Sequence, residues 1–558
     1  MNELPFAATE RTSTLKRMSE HPLDLLVIGG GITGAGIALD AASRGLRVGL
    51  VEKQDFAAGT SSRSTKLIHG GLRYLKQGEI RLVREVGRER AILYRNAPHL
   101  VIPEKMLLPL VERGTYGKWA TSVGLWIYDR LAGVGRKERR VMLSKQRTEH
   151  VEPLLRRDIL RGAGLYIEYR TDDARLTIEV MKTAGRLGAL CVNYAEATGL
   201  VYEDGKLTGA DVTDLITGGS HRISAAKVVN AAGPWADQLR AEDKSLSGKR
   251  LHLTKGVHLV VPHEKLPLKQ SVYFDVPDGR MIFAIPRGRA VYVGTTDTNY
   301  EGNLEAPVLT QADAAYLLNA VNHMFPEAKL QQKDIESGWA GLRPLIHQEG
   351  KSPSELSRKD EIFLSPSGLI TIAGGKLTGY RKMAERVVDL VAGQLRQEYG
   401  KVFKDCHTDT IVLAGGEFGS AEAIPSFIDG LCDSDIGRTA GRKRVEALVY
   451  KYGTNAKEVL RRAEESPPGL VGTPSDPDTT LLLAEADYCM TDEMCTGLDD
   501  FFVRRTGMLL FDRHAVAAGL ELVGEWMAAR LQWGEDRKRR LFASFREESA
   551  AAATIHEA

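Results

Sequence analysis

The apolar run from Leu23 to Ile28 breaks into Gly29, Gly30 and Gly31 and resumes as a small-residue helix through Ala42, a pattern that predicts strand, tight turn and helix. After Arg44 and Gly45, residues 47–52 (RVGLVE) predict a second short buried strand, so residues 23–52 close into one βαβ unit. Residues 1–22 precede it as an extension. From Gly78 to Arg95 the apolar residues Ile80, Val83, Val86 and Ile92 recur near helical spacing among many charges, which predicts an exposed helix ended by Pro98 and Pro103. Between about Ala195 and Val293 apolar and polar residues alternate with glycine punctuation, the signature of a β-rich region. Residues 311–324 have helical period. The segments ESGWAGLRPL and GLITIAGGKLTGYRKMAERVVDLVAGQL then predict turn, strand, glycine turn and long helix, closing the α/β part near residue 400. Residues 438–466 and 508–545 again carry helix-period apolar positions, separated by the proline-rich SPPGLVGTPSDPD, and predict a helical domain over 401–558.

Gly29, Gly31 and Gly34 satisfy G-x-G-x-x-G directly after a predicted strand and at the start of a predicted helix, and Glu52 ends the next strand. The first glycine permits the turn, the second lets a pyrophosphate approach the backbone, and the third lets helix and strand pack closely. The helix N-terminus adds donors and a positive dipole. Glu52 is then placed to accept from a ribose hydroxyl, and its charge disfavours the 2'-phosphate of NADP. The plainer alternative is a glycine turn serving packing alone. Further regular βα repeats, expected in an NAD enzyme, do not follow. Glycine-rich segments instead reappear at Asn230–Gly233 and at Gly374–Tyr380, each after a strand-like run, as though several stretches line one long cofactor, which favours FAD over NAD.

Length, charge and cysteines narrow the remaining classes. At roughly 150 residues per domain, a chain of 558 residues holds three or four units. Lys and Arg total 75 against 73 for Asp and Glu, a formal net charge of +2, so no global field argues for a nucleic-acid partner. Five cysteines without a C-x-x-C pair suit a reducing compartment, and neither a disulfide scaffold nor a metal site is expected. No h-region follows the N-terminal charges and no run of eighteen apolar residues occurs, so secretion and membrane spanning are not expected; lying on a membrane surface stays open.

Three segments carry a family resemblance. The runs IGGGITGAGIALDAASRG (Ile28–Gly45) and GGKLTGYRKMA (Gly374–Ala384) resemble the two diagnostic segments of FAD-dependent glycerol-3-phosphate dehydrogenases, and TSSRSTKLIHGGLRYL (Thr60–Leu75) resembles the segment after their second strand. The resemblance implies an α/β plus α fold: a Rossmann-like FAD-binding domain of the glutathione-reductase type over residues 23–400, an interleaved β-rich substrate domain at about 80–160 and 250–340, and a helical C-terminal domain. It also implies FAD contacts at Gly29, Gly31, Gly34, Glu52, Ser61, Ser62, Leu67, His69, Gly233, Gly374 and Gly375. The implied reaction is oxidation of sn-glycerol 3-phosphate to dihydroxyacetone phosphate, with electrons passed to a membrane quinone by a protein held peripherally on the inner face of the cell membrane.

A phosphate monoester carries close to two negative charges near neutral pH, so its site needs fixed cations and neutral donors. By resemblance, Arg73, Tyr74, Arg343, Arg358, Lys376 and Thr378 are substrate-pocket positions, with Arg343 and Lys376 nearest the reacting end. Singly, each cation reads equally as a surface charge. Arg343, beside a Trp-Ala-Gly-Leu turn and Pro344, and Lys376, after paired glycines, occupy poor settings for solvated side chains. His69 either touches the flavin and shuttles a proton or holds a turn; His258, in KGVHLVV, reads more as a strand residue than a substrate-facing one. Arg343, Lys376, His69 and a water all remain open as the group that handles the hydroxyl proton.

Trp119, Val123, Trp126, Ile127 and Leu131 fall on one helical face, followed by the basic stretch RKERRVMLSKQR (136–147), the combination expected beside anionic headgroups; a cap helix with a solvated basic loop is the alternative. The basic run 537–540 reads as a solvated helix face, and Asp487, Tyr488, Cys489 and Cys495 as ordinary helix and turn residues. The helical domain shows no nucleotide, metal or nucleophile motif, which leaves packing, oligomer contact such as a homodimer, or partner docking. Rival functions are a glycerol-3-phosphate oxidase, an amine or amino-acid oxidase whose Arg343 and Lys376 clamp a carboxylate, and a non-catalytic flavoprotein. The oxidases of the family carry an inserted segment, and none is obvious between Val291 and Ile372, which favours the dehydrogenase.

Overall fold

The computed structural model describes residues 5–69, 80–112, 114, 140–347, 360–465 and 477–557. Two sheets organise the first 400 residues. In the first, the strands Ile370–Gly374, Ser220–Asn230, Leu23–Ile28, Val48–Val51 and Leu190–Val192 lie side by side and parallel, with Asp360–Leu364 added antiparallel at one edge. Leu23–Ile28 is buried along its whole length, as a parallel strand covered on both faces must be, which explains its unbroken apolar run. The helices Ile32–Arg44 and Tyr380–Tyr399 pack on each other so closely that a Cβ on Gly36 would meet the Tyr380 ring at 2.8 Å. Arg44 is tied to Asp40 and Asp389 at this seam. The meander Ala195–Glu203, Lys206–Asp214 and Ser220–Asn230 extends the sheet, so the β-rich text that begins at Ala195 serves both sheets.

The second sheet is mixed and larger. Its path runs Thr298–Asn299, Leu251–Pro262, Ala290–Gly294, Met281–Arg287, Ser271–Asp275, Ile102–Val111, Leu160–Arg170 and Leu67–Ile68, with Ser337–Ile346 paired to Leu251–Pro262 along ten residues. The helix Gln311–Met324 covers it, opened by a capping box between Thr310 and Asp313. Its span is the one periodicity predicts. The helix Ile80–Asn96, expected to be exposed, buries one face, including Glu89 and Arg90. Glu89 receives Arg381 at 2.6 and 2.7 Å, and Arg90 pairs with Glu168 at 3.5 Å, so charges in the pattern mark buried pairs here rather than solvent.

The N-terminal helix Arg11–Glu20 packs Leu15 and Met18 under the first sheet, and Arg11 reaches Asp214 at 3.0 Å. The C-terminal region is a helical bundle with its own core, in which Tyr452, Phe501, Phe502 and Phe545 are fully buried. It rests on both sheets at once. Arg175 and Lys182, on the helix Asp173–Arg186, meet Glu493 at 2.5 and 3.1 Å, while the Ser337 hydroxyl donates to Leu510 O at 2.6 Å. The result is the α/β plus α fold, with a mixed, curled substrate sheet and a helical C-terminal domain.

Candidate active site

A cavity of about 320 Å3 opens at the carboxyl ends of the parallel strands, where open α/β sheets bind their ligands. Its floor is the first glycine turn. Gly29 has φ +116°, in the left-handed region, and a Cβ there would lie 2.6 Å from Ala231 O. Gly31 caps the helix Ile32–Arg44 and lines the cavity, with the Ser61 hydroxyl 3.0 Å from Ile32 N as acceptor. Gly34 stands behind the wall: a Cβ there would sit 1.9 Å from Gly29 O, so it serves close packing of helix and strand. Glu52 lines the cavity and folds back to accept from Gly30 N at 2.6 Å and Gln54 N at 2.8 Å. Burial pushes its carboxyl up and those backbone donors pull it down, with burial winning. Gly233, Gly374, Gly375 and Lys376 close the opposite wall, so widely separated stretches of chain meet around one space.

This lining suits a long dinucleotide. Backbone glycines and a helix N-terminus offer a pyrophosphate close approach without side-chain obstruction, and a carboxylate at the end of the adjacent strand offers an acceptor for sugar hydroxyls. Apolar residues, among them Ile28, Val51 and Ala195, complete the walls.

At one end of the cavity Pro344 hands over to the second sheet. Next to it, Arg343 lies across the strand Leu251–Pro262, so near that a Cβ on Gly256 would meet its Nη2 at 2.1 Å. The guanidinium donates to Thr296 O at 3.2 Å, Asp297 Oδ1 at 3.1 Å and Thr295 Oγ1 at 2.9 Å. On the same face stands His258, stacked on Trp339 at 4.6 Å and 11°, its Nε2 3.0 Å from Thr65 Oγ1 and its Nδ1 with no hydrogen-bond partner among the described residues. A Cβ on Gly294 would strike its ring at 2.1 Å. Burial, with help from Arg343 and Lys66, holds His258 well below the usual histidine range, so the ring is neutral at pH 7. Residues 60–66 cross this face, pinned by Thr60 to Leu342 O at 2.7 Å, by Trp339 to Ser64 O at 3.2 Å and by Tyr292 to Thr65 O at 3.2 Å.

Gly29, Gly31, Glu52, Ser61, Gly233, Gly374, Gly375 and Lys376 thus share the cavity, and Arg343 adjoins it through Pro344. Ser62, Leu67 and Thr378 are buried behind it; Ser62 O accepts from Lys66 Nζ at 3.0 Å, and Thr378 Oγ1 donates to His69 O at 3.4 Å. His69 is half-buried, edge-on to Phe283 at 6.1 Å. Arg73, Tyr74 and Arg358, and the expected membrane face at 119–131, lie outside the described residues. Arg343 sits inside a ten-residue strand rather than beside a turn, because the glycines of GWAGLRPL let neighbouring main chain approach, Gly338 facing His258 O and Gly341 facing Arg63 O, instead of bending the chain. His258 lies in the strand Leu251–Pro262, as KGVHLVV predicts, with Gly256 two residues before it and Gly294 of VYVGTTD opposite it.

Comparison with known proteins agrees with this geometry. Residues 24–381 match the family of FAD dependent oxidoreductases, and residues 406–538 match the C-terminal domain of alpha-glycerophosphate oxidase. The chain is 53% identical over 536 residues to the aerobic glycerol-3-phosphate dehydrogenase of Bacillus subtilis, covering 96% of each, and 49% identical over 537 residues to that of Staphylococcus epidermidis, again 96% of each. The crystal structure of the glycerol-3-phosphate dehydrogenase from Bacillus halodurans complexed with FAD superposes with a TM-score of 0.84 at 45% identity, covering 98% of this chain and 99% of that one. The L-alpha-glycerophosphate oxidase from Mycoplasma pneumoniae, at 21% identity and a TM-score of 0.53 over 66% of this chain and 95% of its own, shares the fold. With its glycine-walled cavity, its two sheets and these relatives, the chain belongs to the FAD-dependent oxidoreductase family, among the aerobic glycerol-3-phosphate dehydrogenases.

Proposed function

We propose that this chain oxidises the C2 hydroxyl of sn-glycerol 3-phosphate to dihydroxyacetone phosphate and passes the electrons to a membrane quinone, working from the membrane surface. The observation that carries this reading is that Lys376 and Pro344 line one cavity, while Arg343, next in the chain to Pro344, shares a strand face with neutral His258. When bound, FAD supplies an acceptor for the hydride leaving C2. Gly29 and Gly31 would hold its pyrophosphate against the helix N-terminus, and Glu52 a ribose hydroxyl.

Arg343 and Lys376 supply fixed positive charge for a dianionic ester. Arg343 is preorganised: three oxygen acceptors and the backbone of Gly256 fix its plane before substrate arrives. His258 is the group we assign to the hydroxyl proton, in preference to His69, because it is neutral and its Nδ1 has no hydrogen-bond partner among the described residues. Part of what depresses its basicity is the charge of Arg343 and Lys66. A bound phosphate dianion offsets that charge, so substrate binding itself raises the proton affinity of the ring. Trp339 keeps the ring stacked while the proton moves.

The acceptor is a separate matter. No described helix is long and apolar enough to cross a membrane, so contact with a quinone would have to be made at the surface. Val141 and Arg147, in the last part of the basic stretch expected there, are both exposed. The C-terminal match to an oxidase domain favours oxygen as the second reading. Steady-state assays with a soluble quinone under argon and with oxygen alone separate the two: rapid quinone reduction with little peroxide supports the dehydrogenase, and one peroxide per substrate in air overturns it.

A further inference from the structure

The wall of the cofactor cavity formed by residues 52–54 and 58–61 is a single loop, and its middle faces away from the cavity. Asp55 there is completely buried and accepts four hydrogen bonds: from Arg505 Nη1 at 2.7 Å and Nη2 at 3.0 Å, from Arg504 Nε at 2.6 Å, and from Asn193 Nδ2 at 2.9 Å. Phe56 stacks on Phe6 at 5.6 Å, and Ala57, at φ +64°, donates its amide to Gly30 O at 3.0 Å, back onto the glycine turn. The two arginines belong to the C-terminal domain. They end the π-helical turn Asp500–Arg505, whose widened geometry directs two consecutive side chains at one carboxylate. Arg505 is itself fixed by Glu493 O at 2.8 Å and Arg504 by Asp500 at 2.8 Å.

Docking alone does not require this arrangement. Arg175 and Lys182 already join the C-terminal domain to the helix Asp173–Arg186 through Glu493, and Lys182 Nζ donates to Tyr488 at 2.7 Å, without touching the cavity wall. The Asp55 contact adds a grip on the loop that carries Glu52, three residues away.

We propose that Arg505, with Arg504, is a positioning residue of the cofactor site: the C-terminal domain holds the 52–61 loop in its FAD-binding shape through Asp55, so that FAD retention and docking of the helical domain are thermodynamically coupled. The proposal rests on the cofactor reading of the cavity. Coupling is reciprocal, so FAD in turn slows opening of the 493–506 segment.

The test compares FAD release from purified holoenzymes, followed by recovery of flavin fluorescence after dilution. Arg505→Lys keeps the charge and loses the planar fork; Asp55→Asn keeps the shape and loses the charge. Both should release FAD at least about tenfold faster than the parent, with Arg505→Lys the milder. Tyr488→Phe loosens the same domain interface away from the loop, and should lower Tm while leaving the release rate within about twofold. Unchanged release in Arg505→Lys and Asp55→Asn, or an equal acceleration in Tyr488→Phe, overturns the proposal. Should the charge variants not fold, hydrogen exchange on the parent decides it: FAD should slow exchange in residues 493–506, and identical rates with and without FAD overturn it. Gly29→Val keeps the two readings apart, since full flavin retention in that variant would refute the cavity assignment itself.

Discussion

A Cβ on Gly29 would collide with the Ala231 carbonyl at 2.6 Å, whereas a Cβ on Gly256 or Gly294 would collide at 2.1 Å with Arg343 or His258. In the parallel sheet, glycine brings backbone up to backbone and leaves a lined hollow for a ligand's phosphates. In the mixed sheet, Gly256 and Gly294 make a shallow bed in which the protein lays its own charged and aromatic side chains. The first kind of site is built from amides and tolerates little, since main chain cannot swing away. The second is built from side chains held on a flat face, so its failures are graded and local. The difference teaches where binding and chemistry separate: loss of the first should abolish the cofactor, and damage to the second should spare the cofactor and slow the reaction.

That separation can be broken in order of effect. Gly29→Val forces both a left-handed φ and a backbone collision, so the purified protein should carry no flavin absorbance and no activity. Arg343→Ala should keep its flavin and lose about a thousandfold in kcat/KM for glycerol 3-phosphate, about 4 kcal/mol, the scale for truncating one partner of a desolvated charge pair. His258→Asn should lower kcat about a hundredfold with flavin retained, and the acid limb of the kcat profile should flatten because the titrating ring is gone. Gly294→Ala asks His258 to shift by a fraction of its ring width, and about a tenfold loss in kcat with unaltered flavin content is expected. A Gly294→Ala enzyme that lost its flavin would erase the distinction between the two sheets.

The smallest effect is on stability in acid. Asp55 and Glu493 lose favourable hydration on burial, yet arginines at their side hold both carboxyls down to about 2, below their ordinary 3.8 and 4.5. Depressed carboxyls contribute stability that is complete above those ordinary values and disappears as pH falls toward 2. Calorimetry between pH 6 and 2.5 should therefore show Tm nearly level above about 4.5 and falling below it. Asp55→Asn should flatten part of that fall; an unaltered slope would mean that the Asp55 cluster is not what acid dissolves.

What could be read from residues alone follows the same division. The glycine turn, its strand and helix, and Glu52 are local in sequence, and the helix Gln311–Met324 announces itself by period, so these were legible. Gly374, Gly375 and Lys376 were legible because a second glycine turn repeats the logic of the first. The bed for Arg343 and His258 depends on register between Leu251–Pro262 and Ser337–Ile346, which places Gly256 opposite Gly341 and His258 opposite Trp339. The glycines in GWAGLRPL read equally as a turn, and that ambiguity places Arg343 at a bend, whereas KGVHLVV reads as the strand it forms. The Asp55–Arg505 contact joins positions 450 residues apart through a π-helical turn, and nothing in the local pattern of either marks the other. Buried charges on the helix Ile80–Asn96 were mistaken for a solvated face for the same reason: their partners are distant in sequence.

The central claim is that charges from separate stretches of chain present a phosphorylated alcohol to the flavin. Anaerobic titration of the yellow holoenzyme tests it without any acceptor, by following the oxidised-flavin band near about 450 nm. Glycerol 3-phosphate should bleach that band to completion, and glycerol at the same concentration should leave it intact. A band untouched by the ester, or bleached equally by glycerol, would contradict the account.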